Sequence, residues 1–246
     1  MTNNMSLITF QKIFPISIVS KDDMFNKATS RDCGCVGIFL GSGEHSWLAT
    51  SLMFQSAVSI SATGNSIVVI LSQPLTKLPA SVHGMIVANP NTLLHVKFKY
   101  VKTCSELTDY LASIHCSAVA PYQIIIDSLQ DFIPNNLNSG HIDDFFVLAN
   151  LCAAIKDAAV YMKTKRSVDD CFPILASSIL IPGNLEYNFY HRFFKHLWLI
   201  SDFMEEDTNG VRITEILPKS FTNEDFMYLK LLPSDPIDLL EFCYPT

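Results

Sequence analysis

The chain has no long hydrophobic run. Its longest uninterrupted apolar stretches, Ile67 to Leu71 among them, have five residues, far short of the roughly 20 that cross a bilayer as a helix, so no membrane contact is expected. The first residues carry no basic patch followed by an apolar block, so a secretory signal is not expected either. Cysteine spacing is wrong for zinc. The seven cysteines (33, 35, 104, 116, 152, 171 and 243) include no Cys-x-x-Cys, and Cys33-Gly34-Cys35 is too tight for a knuckle. Reduced, buried thiols in a cytosolic or nuclear protein follow. Positive charge is also short, with 17 Lys and Arg against 24 Asp and Glu and a net charge of −7. That excludes broad electrostatic adhesion to nucleic acid and leaves only a local basic patch as a way to hold a backbone.

What is present is globular: 246 residues, 49% of them hydrophobic and 17% charged, enough for one substantial core. Charge is uneven, with seven basic and four acidic residues over 1–100, and ten basic and twenty acidic after that. Residues 1–31 read as an N-terminal extension, in which SLITFQKIFPISIV is a short strand or a docking segment. Residues 32–246 read as one domain. Cys35 to Leu40 is β-branched and aromatic, a strand pattern. SWLATSLMFQSAVSIS places apolar residues at 48, 52, 53, 57 and 60, a helix with one buried face, ended by Thr63-Gly64-Asn65. SIVVIL is apolar on both faces, as an inner parallel strand must be. Pro74 and Pro79 then force an irregular excursion.

LLHVKFKY alternates, with Leu94, Val96, Phe98 and Tyr100 on the inner side and His95, Lys97 and Lys99 on the outer. Ser105 is placed to cap the helix that follows, whose stripe is 107, 111 and 114. The strand at 122–127 ends in Asp127. A long helix over 142–163 turns Ile142, Phe145, Phe146, Ala149, Cys152, Ala153, Ala159 and Met162 inward. CFPILAS is a further strand, and 189–200 a short helix entering another. Asn209-Gly210 is a hairpin turn, and DPIDLLEFCYPT an edge element or docking tail. Strands alternating with helices predict an α/β domain with a largely parallel sheet.

The chemistry concentrates at VGIFLGSGEHSWL. An apolar strand, two glycines and a helix follow the plan of G-x-x-x-x-G-K-[ST], whose backbone N–H groups wrap phosphates while lysine reaches the outer ones. Counted from Gly41, Ser46 takes the second glycine's place, Trp47 the lysine's and Leu48 that of the magnesium-binding hydroxyl. Glu44 adds unwanted negative charge; His45 and Ser46 are spare donors. Trp47 is expected to plug the pocket. Asp127 is the carboxylate that such folds place at a strand end near the metal. Ser72 and Gln73, after the next strand, provide no water-activating base. With cation, metal hydroxyl and base all missing, each such loss costing on the order of 10²–10³ in rate, no catalytic residue is named.

No other catalytic set assembles. His191 and His196 are five apart, His115 merely adjoins Cys116, and Asp143-Asp144 suits the first turn of a helix. For nucleic acid, Lys156, Lys163, Lys165 and Arg166 cluster at the end of the long helix. Arg192 and Lys195 sit among Tyr187, Phe189, Tyr190, Phe193 and Phe194. Rings with cations stack and neutralise a single strand; the competing reading makes the rings core or partner surface.

Two runs, GIFLGSGEHSWLATSLMFQSAVSISATGNSIVVILSQPL and LLHVKFKYVKTCSELTDYLASIHCSAVAPYQIIIDSLQDFI, are similar to the small ATPase-like recombinase paralogues that associate with the SWIM-domain protein of the metazoan Shu complex. The likeness lies in the succession of motifs over about 36–180. It implies a RecA-like P-loop NTPase core, with a mostly parallel sheet flanked by helices. It also implies a heterodimer with the zinc-coordinating SWIM partner, single-stranded DNA binding, support of recombinase filaments together with other paralogues, and a nuclear site of action. By this resemblance the nucleotide site maps to Gly41, Ser42, Gly43, Glu44, His45, Ser46, Trp47, Leu48 and Asp127. The departures at 46–48 imply weak or absent ATP hydrolysis and no required cofactor, ATP with Mg²⁺ being what an intact loop would hold. Two alternatives stay open: a DNA-stimulated ATPase with a lysine supplied from elsewhere, and an unrelated α/β interaction scaffold.

Overall fold

A computed structural model describes residues 36–82, 85–133, 142–166, 172–179, 189–205, 208–216, 226–231 and 237–243. The expected extension over 1–31, Cys33, Cys35, Cys171 and Tyr187 lie outside them. β1 (Val36–Gly41) is buried along its length, and a single 3-10 turn (Gly43–His45) leads into α1 (Ser46–Ser61). β2 (Ile67–Leu71) is wholly buried. An irregular stretch then leads to β3 (Val96–Tyr100), α2 (Cys104–Ser113) and β4 (Gln123–Ile126). α3 (Ile142–Thr164) precedes β5 (Ile174–Ile179). The chain closes with β6 (His196–Glu205), β7 (Thr208–Ile216), β8 (Phe226–Leu231) and β9 (Ile237–Cys243).

All nine strands form one sheet in the order β3-β2-β4-β5-β1-β6-β7-β8-β9. The first six strands of that order pair in parallel, and β6 to β9 are antiparallel neighbours. α1 and the excursion cover one face, with Leu48, Leu52, Met53 and Val82 against Phe39, Val69 and Ile125. α2 and α3 cover the other, with Leu107, Leu111, Leu151 and Ile155 against Ile38, Val68 and Ile124. A parallel sheet needs both faces covered because each inner strand is apolar on both sides. The result is a mixed α/β architecture with helices flanking a multi-stranded sheet.

Several local expectations change. α1 is buried on nearly every side, not one, because the excursion closes over its outer face: Gln55 Nε2 donates to the Ile86 carbonyl (2.9 Å), and Gln55 Oε1 accepts from Val82 N–H (3.2 Å). The strand at LLHVKFKY begins only at Val96, the one residue of β3 that is buried. Leu94, Phe98 and Tyr100 are exposed because β3 ends the sheet. α2 is capped by Thr103, not Ser105: its hydroxyl accepts from Glu106 N–H (3.2 Å), and Glu106 in return accepts from Lys102 N–H (2.9 Å).

In α3, Phe146 and Ala153 face solvent. The buried stripe is Leu148, Leu151, Cys152, Ile155, Ala158, Ala159 and Met162; the side chain of Ile142 lies outside the described set. Run length also understated this helix: its Phe145–Thr164 portion has mean hydropathy 1.5 and is long and apolar enough to cross a bilayer by composition. Its buried stripe packs on the sheet. Of the thiols, Cys152 is buried, and burial raises its pKa, whereas Cys116 is exposed. Asn209 and Gly210 are no turn. They pair with Met204 and Phe203 inside β7.

Two glycines are required. Gly64 closes α1 with φ +84°, in the left-handed region that side chains avoid. At Gly37, an added Cβ would come within 2.4 Å of the Trp198 ring. That close approach lets the indole lie against β1, with Phe39 5.0 Å and Phe172 5.5 Å between ring centroids.

Candidate functional site

Strand order decides what meets at the carboxyl ends of the parallel strands. The turn after β1 and Asp127 after β4 lie there together, with only β5 between their strands. This is the end of an open α/β sheet at which ligands bind. The Thr50 hydroxyl, one turn into α1, donates to the Asp127 carboxylate, Oγ1 being 2.8 Å from Oδ2 and 2.9 Å from Oδ1. From β5, Ser177 Oγ donates to Oδ1 at 2.8 Å, and Ser177 Oγ in turn accepts from Ser128 N–H at 2.8 Å. Ser128 has φ 58°, a left-handed conformation that turns the chain sharply after the strand. Burial raises the Asp127 pKa above its ordinary value, opposed by the Ser177 and Thr50 hydrogen bonds; Asp131 raises it further. The carboxylate is already supplied with donors by its own fold.

The turn is tied elsewhere. His45 is buried; its Nδ1 lies 2.7 Å from Ser42 Oγ, and its Nε2 2.9 Å from Asp202 Oδ1 on β6. The tautomer protonated at Nε2 satisfies all three groups: it donates to Asp202 and accepts the Ser42 hydroxyl. His45 N–H also returns to the Ser42 carbonyl (3.0 Å). The histidine expected as a spare donor for a ligand is thus a clasp between the turn and β6.

Leu48 is fully buried beneath α1, where no hydroxyl is offered. Trp47 is 45% exposed. It lines a groove of about 570 Å³ together with Ser46, Thr50, Ser51, Asp127, Ser128 and residues 75–80, Lys77 among them. Glu44 is exposed. Positions 46–48 therefore do not fit a magnesium triphosphate: one is an indole, one a core leucine, and neither brings charge. Thr50 escaped the motif count because that register put the hydroxyl two residues earlier. Its signal was present: a small polar pair, Thr50-Ser51, inside an apolar helix one turn past the glycines.

At the opposite, amino-terminal ends of β2 and β4 lies a second groove, of about 390 Å³. Gly64, Asn65 and Ser66, residues 117–122, and Tyr161, Lys165 and Arg166 line it. The Arg166 guanidinium lies 4.3 Å over the Tyr122 ring, and Lys165 Nζ 5.3 Å over the Tyr161 ring. Tyr161 in turn meets the His115 ring at 4.4 Å. Lys163 is on the last turn of the same helix. Lys156 is elsewhere, its Nζ 3.4 Å from the Arg192 carbonyl, so the four cations divide between two places. The second aromatic cluster is core: Tyr190 and Phe194 are buried, and Phe189 and Phe193 pack against the same hydrophobic cluster. Arg192 and Lys195 are exposed beside it, and among the described residues the rings at 189–194 pack on the core. Burial lowers the pKa of neighbouring His191.

Compared with protein-family models and with curated proteins, the chain matches none.

Proposed function

We propose that this chain is a RecA-like adaptor with a silent nucleotide site. In this reading it binds single-stranded DNA and a SWIM-domain zinc protein, and supports recombinase filaments during recombinational repair in the nucleus. The observation that carries the silent site is the Thr50–Asp127–Ser177 hydrogen-bond set beside a turn with no cation. The glycine turn and the strand-end carboxylate keep the placement that phosphoryl transfer uses. The carboxylate already accepts from Thr50 and Ser177, and Trp47 takes the lysine's position in the motif. For DNA, Lys165 and Arg166 on the Tyr161 and Tyr122 rings supply the cation and ring pairing that single strands need. The SWIM partnership and the nuclear setting rest on the sequence resemblance.

The test is paired. ATP hydrolysis is measured with and without single-stranded DNA, for the chain and for Asp127→Ala, and a labelled single strand is titrated with the chain alone and with the SWIM protein. No Asp127-dependent hydrolysis, together with saturable DNA binding, is expected. Binding in neither format would favour the plain α/β scaffold.

A second reading, an active ATPase, draws on one observation: Lys77 lines the same groove as Asp127 and is a lysine from outside the turn. Hydrolysis that falls in both Asp127→Ala and Lys77→Ala would put that reading first.

A further inference from the structure

The clasp that ties the turn to β6 is also a chain of acid–base groups. Ser42 Oγ lies 2.7 Å from His45 Nδ1, and His45 Nε2 lies 2.9 Å from Asp202 Oδ1. A carboxylate only accepts, so the Asp202 contact puts the ring proton on Nε2. Nδ1 is then a bare lone pair, and the Ser42 hydroxyl donates to it. A serine hydroxyl on the basic nitrogen of an imidazole, with a carboxylate on the other nitrogen, is the arrangement that makes serine a nucleophile. The two ring nitrogens are exchanged relative to the serine proteases, which changes the approach and not the path of the proton.

Strand order builds this relay. β6 runs parallel to β1 and continues past it: Gly41, the last residue of β1, pairs with Ile200, and β6 goes on to Glu205. Asp202, two residues beyond Ile200, therefore stands on the Ile200 side of β6 and past the end of β1. A Cβ added to Gly41 would lie 3.6 Å from the Cβ atoms of both His45 and Ile200, so the histidine enters over a glycine. It is 6% exposed and its ring is held at both nitrogens. Ser42 is exposed. The reacting oxygen thus faces solvent while its base is shielded. Strand, sharp turn and helix, with a serine on the turn, is also how many hydrolases present their nucleophile.

Negative charge developing on a carbonyl oxygen finds donors in the same turn. His45 N–H closes the turn on the Ser42 carbonyl at 3.0 Å. The N–H groups of Gly43 and Glu44 come just before it, where the start of a helix leaves backbone donors without an intrahelical acceptor. They directly follow the serine, as one oxyanion donor does in such hydrolases, and the positive end of the 16-residue α1 comes next. Glu44 is exposed and repels an anionic acyl group.

We propose that Ser42, His45 and Asp202 form a nucleophilic relay that hydrolyses small, uncharged carboxylic esters. Ser42 Oγ bonds to the ester carbonyl carbon as its proton passes to His45 Nδ1. The bond from that carbon to the alcohol oxygen breaks, and Nδ1 returns the proton to the departing oxygen. Water then gives a proton to the same nitrogen and bonds to the acyl carbon. Oγ leaves, takes the proton back, and the carboxylic acid is released. Asp202 is 70% exposed, so water screens its hold on the imidazolium and its share of the rate is small. This activity is separate from the nucleotide and DNA readings.

The full chain, without ATP, is treated with phenylmethanesulfonyl fluoride: Oγ bonds to sulfur, fluoride leaves, and the proton goes to His45. Peptide mass spectrometry then locates the modified residue. Expected is modification at Ser42 ahead of every other serine, at a rate roughly 100-fold above that in His45→Gln. Hydrolysis of p-nitrophenyl acetate should fall roughly tenfold or more in Ser42→Ala and in His45→Gln. Asp202 acts through His45 and is a positioning residue. Asp202→Asn should lower kcat roughly fivefold with KM unchanged, and Asp202→Glu should recover part of the loss. Circular dichroism and urea unfolding verify that each variant folds; if His45→Gln does not, the Asp202→Asn and Asp202→Glu pair decides. A wild type whose Ser42 reacts no faster than other exposed serines overturns the proposal. So does ester hydrolysis undiminished in Ser42→Ala, or a Ser42 equally reactive in folded His45→Gln or Asp202→Asn.

Discussion

The two grooves lie at opposite ends of the same parallel strands and hold opposite chemistry. The carboxyl-end groove has a buried carboxylate whose donors, Thr50 and Ser177, come from its own fold, and a partly exposed ring, Trp47, in its lining. The amino-end groove has Lys165 and Arg166, each lying over a tyrosine ring. In most doubly wound proteins the first is where ligands go. Here Lys165 and Arg166 lie at the other end, just beyond the last turn of α3, where positive charge also meets the negative end of the helix dipole, while Lys77 is the one cation among the described lining of the first groove. The difference teaches that placement and donor chemistry are separable: two grooves on one set of strands carry unlike side chains.

The strongest way to break that contrast is to attack the floor of the carboxyl-end groove. Leu48→Ala removes a fully buried side chain and should cost about 2–5 kcal/mol in urea unfolding; a ligand position would tolerate it better. Next is Thr50→Val, which takes a donor from Asp127. It should cost about 1.5–3 kcal/mol near neutral pH, the usual worth of a hydrogen bond to a charged group. Burial raises the folded pKa of Asp127, so charging the carboxyl costs the folded state. Stability from this group is fully present below the ordinary value and is lost as pH rises through the raised one. The Thr50→Val penalty should accordingly shrink on acidification, and unfolding curves for Asp127→Asn should lack that acid-side slope.

At the amino-end groove, Lys165→Glu with Arg166→Glu should weaken single-strand binding by roughly tenfold or more at low salt. Trp47→Ala, at the other end, should leave it unchanged. Equal losses from both would erase the distinction between the grooves. The smallest effect belongs to Asp202→Asn. The carboxylate is 70% exposed, so loosening the His45 clasp should cost at most about 1 kcal/mol. A larger loss would make the clasp a main support of the turn.

Much of the fold was legible where the pattern is local. β1, β2 and β4 are apolar on both faces and are inner strands, and the long helix falls where its stripe placed it. What failed depended on distant neighbours. Nothing within LLHVKFKY says that β3 ends the sheet, so Phe98 and Tyr100 read as inward. α1 read as one-sided because the excursion that buries its back is irregular and leaves no period. Asn209-Gly210 is a strong turn signal that lost to pairing with Phe203 and Met204. The site was half visible: the glycine turn and Asp127 stood out, whereas Thr50 and Ser177 needed the strand order that brings α1, β4 and β5 together. The aromatic cluster at 189–194 misled because ring density marks a core as readily as a surface.

The chain holds only two tryptophans, and the fold puts them in opposite surroundings. Trp198 lies sealed against Gly37, while Trp47 stands at the rim beside Asp127. A water-borne quencher will therefore dim one indole and leave the other untouched until the sheet comes apart. In a single cuvette, rim emission reads occupancy of the groove, and sealed emission reads the integrity of the molecule around it.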